Sequence, residues 1–320
     1  MALSIVRTAL GAMLFLSAVQ AWGQTYPAKS VRIIVPFAPG GATDIVARIV
    51  AQKLSDAWGQ TVLVENRAGA GGNIGAELVA KAAPDGYTLL FPSGSVLTAN
   101  RHIYKTLPFD SDKDFAPITN VASGPQVLAS ANTVAAKDLK ELIALIKGKP
   151  ATFGSAGVGS QVHLAAESFL YSAGINATHV PYKGEGPALT DLAGGQIEFL
   201  VPNLAAAIGF VGAGKIRALA VTSRQRAPQL PNVPTVAETL PGFENLGWFG
   251  LVAPAATPRA AIARVHGDTV KVLDSAEVRR RLYDLGMAPV ANAPDEFAKA
   301  IRDESQHWAR IVRVRQVNVD

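Results

Sequence analysis

The segment Val31–Asp44 constrains the fold of this chain most, because it joins an apolar strand to a helix start through a glycine turn. A β-branched run over Val31–Val35 is followed by a turn that contains Gly40 and Gly41, and an amphipathic segment begins at Thr43. A helix start exposes unpaired backbone N–H groups and a partial positive charge, and glycine lets an anion approach the backbone closely. We therefore predict that this loop binds a small carboxylate.

A purely structural role for the same segment is the alternative. Strand–turn–helix units with a capping Asp or Thr occur throughout α/β proteins, so Thr43 or Asp44 would then only cap the helix. The glycine turn lacks the full spacing of a phosphate-binding loop, and the motif alone does not separate the two interpretations.

The same plan of strand, polar glycine turn and helix recurs along the chain. Pro92–Ser95 follows a predicted strand at Thr88–Phe91, and Gly154–Ser160 follows another at Ala151–Phe153. This recurrence predicts an α/β fold with two lobes, each containing a mostly parallel sheet flanked by helices. Parallel sheets bind ligands at the carboxyl ends of their strands, so two facing lobes would enclose one ligand between such loops.

The N-terminus has the features of a secretory signal peptide. Residues 2–21 carry a single charge, at Arg7, and a short apolar core over Thr8–Val19 is followed by small residues. We predict a signal peptide over residues 1–23, cleaved after Ala21 or Gly23, and a soluble protein exported to the periplasm. A membrane anchor is the alternative, but the apolar stretch is shorter than the roughly 20 residues that a spanning helix needs.

Composition narrows the chemistry that this chain can perform. Cysteine is absent, which excludes thiolate catalysis, disulfides and cysteine-based metal sites. The five histidines lack metal-ligand spacing, and no nucleophile elbow, zinc-protease or P-loop motif is present. We therefore expect no enzyme, no cofactor and no metal, and a net charge of +5 that suits anionic ligands without a nucleic-acid-binding motif.

A series of segments in order along the chain resembles one family, the substrate-binding receptors of tripartite tricarboxylate transporters (TctC-like or Bug family). The resemblance covers nearly the whole chain after the signal peptide, which makes it more specific than any single motif. The segments are Val35–Asp44, Val64–Gly75, Ala83–Thr88, Gly154–Gly157, Val180–Gly184, Arg217–Ser223, Pro231–Val236 and Trp248–Leu251.

The resemblance implies a two-lobe type II periplasmic binding protein of the Venus-flytrap kind. Lobe one would comprise residues 26–122 and 247–320, and lobe two residues 123–246, with crossings near Ile118–Ser123 and Leu246–Leu251. Such a receptor is a monomer and not an enzyme. It binds a small carboxylate and passes it, through transient contacts, to membrane transporter subunits. A periplasmic sensor subunit is the alternative function, followed by a periplasmic enzyme.

By position in the family, ligand contacts are expected from both lobes. His163 has the further alternative of a structural role in the first turn of its helix. The expected contacts from lobe one are Phe37, Pro39, Gly40, Gly41, Ala42, Thr43, Asp44, Ser93, Ser95 and Thr98, and those from lobe two are Ser155, Ala156, Gly157, Ser160, His163, Lys183, Pro202 and Asn203.

Pro202 departs from the family pattern, in which many relatives carry Asp-Asn where this chain has Pro202-Asn203. Proline offers no side-chain acceptor for an ammonium group, and a buried unpaired ammonium is costly. On this basis we expect a plain carboxylate to bind better than the corresponding amino acid.

Overall fold

A computed structural model describes residues 26–315 and contains two β-sheets, each flanked by helices. The predicted signal peptide, residues 1–23, lies outside the described residues. The strands are β1 Val31–Val35, β2 Val62–Asn66, β3 Thr88–Leu90, β4 Phe115–Pro125, β5 Val127–Ala131, β6 Thr152–Ser155, β7 Thr178–Pro181, β8 Phe199–Leu200, β9 Ile216–Val221, β10 Leu246–Pro254 and β11 Ala288–Pro289.

The helices mostly follow the strands in βα units. They are α1 Ala42–Trp58, α2 Asn73–Ala80, α3 Gly94–Thr98, α4 Asn100–Ile103, α5 Leu139–Gly148, α6 Gln161–Ala173, α7 Glu185–Ala193, α8 Leu204–Gly212, α9 Arg259–Asp274, α10 Ala276–Asp284 and α11 Pro294–Arg315, with short 3₁₀ turns at Ala70–Gly72 and Val236–Glu238. Between residues 26 and 315 no helix combines the length and apolar character needed to cross a membrane.

Both sheets are mixed. The first sheet has the order β11-β4-β10-β3-β1-β2 and the second the order β7-β6-β8-β5-β9. Pairing is parallel where βα units supply the strands, as between β1 and its neighbours β2 and β3, and between β6 and its neighbours β7 and β8. It is antiparallel where the longer strands β4 and β10 pair with each other.

Strands β4 and β10 run alongside each other where the chain passes between the sheets. Their pairing extends from Phe115 opposite Pro254 to Pro125 opposite Leu246, and β5 of the second sheet begins two residues later. Strand β4 is 11 residues long because β10 pairs along its whole length. The predicted crossings fall in β4 and β10, and the exact division into lobes stays a prediction.

A local sequence signal accounts for the start of α5. Asp138 precedes α5 and caps it by accepting a hydrogen bond from Glu141 N at 2.9 Å, and Leu139, Leu142 and Ile146 form the buried stripe. Helix α8 was not predicted. Its first four residues are all buried, so it shows no polar face from which a helical period could be read.

Candidate functional site

Loops from both sheets meet around a small cavity. Its volume is about 10 Å³, close to the space that one water molecule needs. The cavity lies beside the starts of α1, α6, α7 and α8, and backbone contact across it includes Ala38 N donating to Lys183 O at 3.0 Å. The lining residues are Phe37, Gly41, Thr43, Ser93, Ala156, Ser160, Gln161, Glu185 and Asn203.

The start of α1 forms one wall of the cavity. Gly41 is the N-cap and has no side chain to satisfy the exposed N–H groups of the first turn. The Ala42 N–H instead donates to the carboxylate of Glu185, with Ala42 N 2.8 Å from Glu185 Oε2. The helix start therefore does hold a carboxylate, and that carboxylate belongs to the protein.

Asp44 supports the turn from behind and does not line the cavity. Its carboxylate accepts hydrogen bonds from Gly40 N at 3.2 Å, from Arg48 Nε at 3.0 Å and from Asn66 Nδ2 at 2.9 Å. Burial opposes its ionisation, but the hydrogen bonds from Arg48, Asn66 and Gly40 outweigh burial and leave the pKa of Asp44 below its usual range. Asp44 thus fixes the glycine turn before α1, and its contact with a ligand stays a prediction.

Glu185 was not among the predicted site residues. It is the first residue of α7 and only 4 % exposed. Its Oε1 accepts hydrogen bonds from Asn203 N and Asn203 Nδ2, each at 2.7 Å, while Oε2 accepts the bond from Ala42. Burial raises the pKa of Glu185, although the hydrogen bonds from Asn203 and Ala42 oppose that rise.

The presence of Glu185 changes the argument built on Pro202. The carbonyl of Pro202 accepts a bond from Val127 N at 2.9 Å, and its ring offers no acceptor, as expected. The neighbouring carboxylate of Glu185, however, supplies an acceptor in the same cavity. The reason for expecting an ammonium group to be disfavoured therefore does not hold in this structure.

A chain of amides links Glu185 to the strand β10. Asn203 Oδ1 accepts from Gln161 Nε2 at 2.8 Å, and Gln161 Oε1 accepts from Trp248 N at 3.2 Å. Asn203 is 2 % exposed and Gln161 8 % exposed, so these groups are shielded from water. Gln161 was not predicted, because as the first residue of α6 it resembles any polar residue in a first helical turn.

Two histidines stack behind the Gly154–Ser160 loop. The rings of His163 and His179 lie 4.1 Å apart between centroids, and the ring of Phe153 stacks on both. His163 Nδ1 accepts from Gly159 N at 3.2 Å, and Ser155 Oγ lies 2.6 Å from His179 Nε2. This geometry supports the structural role for His163. The hydroxyl of Ser155, which is 0 % exposed, forms its hydrogen bonds within the loop and to His179.

The histidine stack should make stability depend on pH. Burial and charge repulsion from His179 lower the pKa of His163 to about 3, and burial lowers that of His179 to about 4. Both rings stay neutral in the folded protein but take up protons near pH 6.5 once unfolded. The free energy of unfolding should therefore fall between pH 7 and pH 5, by on the order of 3 kcal/mol.

Urea unfolding at the two pH values measures this loss. The double variant His163→Gln, His179→Gln should lose most of this part of the pH dependence, whereas the control His307→Gln, at an exposed position on α11, should retain it. If the unfolding free energy falls between pH 7 and pH 5 by the same amount in the double variant and in the control, the two histidines are not its source.

The remaining predicted residues lie near the cavity without lining it. Thr98 Oγ1 donates to Gly94 O at 3.0 Å, and Ser95 Oγ is 3.4 Å from Ser93 Oγ. Pro39, Gly40 and Lys183 are exposed at the rim, and Gly157 N donates to Ser155 Oγ at 3.0 Å. Whether they contact a ligand stays a prediction.

A much larger groove lies elsewhere, beside α11. Its volume is about 570 Å³, and none of the predicted ligand contacts lines it. One of its residues, Glu304, is held by Trp248 Nε1 and by Trp308 Nε1, so the acidic group there is already bonded. Size alone would make this groove the candidate ligand site. The helix starts converge at the small cavity instead, which favours the cavity.

Three solved structures are similar to this chain over nearly their whole length. "Periplasmic binding protein BugD" is 32% identical with a TM-score of 0.88, covering 92% of this chain and 99% of that chain. Rpa4515 of R. palustris, solved with adipate, is 34% identical with a TM-score of 0.88, and the match covers 91% of this chain and 98% of that chain. MatC (Rpa3494) from Rhodopseudomonas palustris, with bound malate, is 33% identical with a TM-score of 0.86, and the match covers 90% of this chain and 100% of that chain.

The two helix-flanked sheets and the cavity between them are therefore those of a two-lobe type II periplasmic binding protein, which confirms the fold predicted from the sequence. Residues 46–317 match the model of the TctC family, described as the tripartite tricarboxylate transporter family receptor. The chain belongs to this family of solute-binding receptors.

Proposed function

We propose that this protein is a periplasmic receptor that binds a small carboxylate-bearing solute between its lobes and delivers it to a tripartite tricarboxylate-type transporter. The observation that carries this proposal is the convergence of four helix starts, those of α1, α6, α7 and α8, on one cavity between the sheets. Helix starts carry partial positive charge and favour anions. The hydroxyls of Thr43, Ser93 and Ser160 add hydrogen-bond donors to the same cavity.

The similar structures support the ligand class. Rpa4515 was solved with adipate and MatC with malate, both of which are small carboxylates. The present cavity is too small for either, so binding requires the lobes to separate, admit the solute and close on it. An exported, monomeric receptor that contacts its transporter transiently fits this cycle.

Mass spectrometry of solute released by denaturing the purified protein tests the proposal. We expect a small carboxylate in an amount approaching one per protein molecule, and none from a parallel purification of cells that lack the protein. The released compound should then bind the emptied protein in calorimetry. Release of no carboxylate, together with no binding of any carboxylate in a panel of mono-, di- and tricarboxylates, would contradict the proposal.

A further inference from the structure

The carboxylate of Glu185 sits where an anion would bind at the start of α1. It receives the Ala42 N–H from α1 and both the backbone and side-chain N–H groups of Asn203, the N-cap of α8. Hydrogen bonds from two helices on opposite sides of the cavity therefore converge on one side chain. A ligand carboxylate cannot accept the Ala42 N–H while Glu185 does. The inference below rests on the proposed function, since it takes this cavity as the ligand site.

The backbone around Glu185 is shaped to bring it there. Gly184 and Gly186 flank it, and a Cβ on Gly184 would lie 2.8 Å from Ala38 N while one on Gly186 would overlap Pro39 O. Only glycine permits this approach of the α7 start to the loop before α1. The sequence Gly-Glu-Gly thus delivers a carboxylate into the cavity from the opposite lobe.

The charge of Glu185 has no cationic partner within the described residues. Among residues 26–315, the groups that act on its carboxyl are Asn203 and Ala42, with no Lys, Arg or His among them, and the nearby Lys183 side chain is exposed at the rim. Oε1 accepts two hydrogen bonds but Oε2 only one, so Oε2 keeps capacity for one more donor. A second carboxylate placed beside it would be repelled, while an N–H donor would be bound.

We propose that Glu185 determines the specificity of this cavity. Its side chain fills the anion position at the start of α1 and selects a carboxylate solute that presents an ammonium or amide N–H toward Oε2. The solute's own carboxylate then lies toward the hydroxyls of Thr43, Ser93 and Ser160. A solute with a bare carboxylate at the Glu185 end binds poorly.

A panel of matched pairs tests the selection, using aspartate against succinate and glutamate against glutarate in calorimetry. In the wild-type protein, the amino acid of at least one pair should bind with an affinity at least about tenfold higher than that of its partner without the amine. In Glu185→Ala that preference should disappear or reverse. The control Glu77→Ala, which removes a Glu of an exposed ion pair on α2, should keep the wild-type preference.

A second measurement does not depend on the natural ligand. Removing the Glu185 side chain leaves the Ala42 and Asn203 donors facing a space that acetate or formate fits. Acetate should therefore raise the melting temperature of Glu185→Ala by several degrees more than that of the wild-type protein or of Glu77→Ala. An equal effect of acetate on the three proteins would overturn the placement of Glu185 in an anion position.

The two proposals fail in different ways. If wild-type protein binds succinate or glutarate as tightly as the amino acid and Glu185→Ala binds with the same ratio, the specificity proposal is wrong while the receptor function stands. If the purified protein releases no carboxylate and binds none of the mono-, di- and tricarboxylates of the wider panel, the proposed ligand class is wrong. The acetate effect on Glu185→Ala still decides whether Glu185 occupies an anion position.

Discussion

Replacement of Gly41 with Val is expected to abolish solute binding while leaving the protein folded. Gly41 has φ −84° and ψ 168°, which any residue adopts, so valine causes no backbone strain. A Cβ at this position would lie 3.2 Å from Glu185 Oε2 and 3.3 Å from Glu185 Cβ, and the further methyl groups would enter a cavity of about 10 Å³. The lobes could not close, and affinity should fall about 100-fold, which corresponds to about 3 kcal/mol.

Calorimetry with the solute released from the wild-type protein measures this loss. Gly148→Val is a matched control, because nothing lies within 4 Å of a Cβ placed on Gly148 and its φ is not positive. The control should bind as the wild type does, and both variants should melt near the wild-type temperature. Unchanged affinity in Gly41→Val would show that solute binding does not require the close approach of Glu185 to the start of α1.

Replacement of Asn203 with Asp is expected to destabilise the protein by about 3 kcal/mol at neutral pH. Asn203 Nδ2 donates to Glu185 Oε1 at 2.7 Å, and aspartate would put a second carboxylate oxygen there. Asp is as good an N-cap as Asn, so α8 itself is not weakened. Asn203 and Glu185 lie on helices of the same sheet, so opening of the lobes does not separate them.

Chemical denaturation at pH 7.5 measures the loss, and two further variants identify its cause. Asn232→Asp, at an exposed position, should change stability little. Combining Asn203→Asp with Glu185→Gln should restore much of the stability, because only one carboxylate then remains. If the double variant is as unstable as Asn203→Asp alone, repulsion between the carboxylates is not the cause.

The sequence was most informative where a local signal decides the structure. The run of β-branched residues, the two glycines and the polar caps predict where β1 ends and α1 begins. The family resemblance added further candidate contacts, and Phe37, Gly41, Thr43, Ser93 and Ser160 line one cavity, although their contact with a ligand stays a prediction. Each of these residues follows a strand or lies at a helix start.

The role of Glu185 could not be read in this way. An acidic residue in the first turn of a helix ordinarily stabilises that helix, and nothing local shows that this one reaches the start of another. Its role depends on how α7 docks against the loop before α1, a contact between residues 143 positions apart. The stack of His163 on His179 likewise depends on the packing of a helix against a neighbouring strand. The flanking Gly184 and Gly186 are the only local sign that the chain approaches something closely there.

Closure of the two lobes on a solute is tested most directly by small-angle X-ray scattering of the emptied protein, before and after addition of the solute released from it. The radius of gyration should decrease at saturating solute, because a form closed around the solute brings loops of the two sheets into contacts that an open form cannot make. The Gly41→Val variant should show no decrease. An unchanged radius in the wild-type protein, at a concentration where calorimetry shows full occupancy, would contradict a receptor that closes on its ligand.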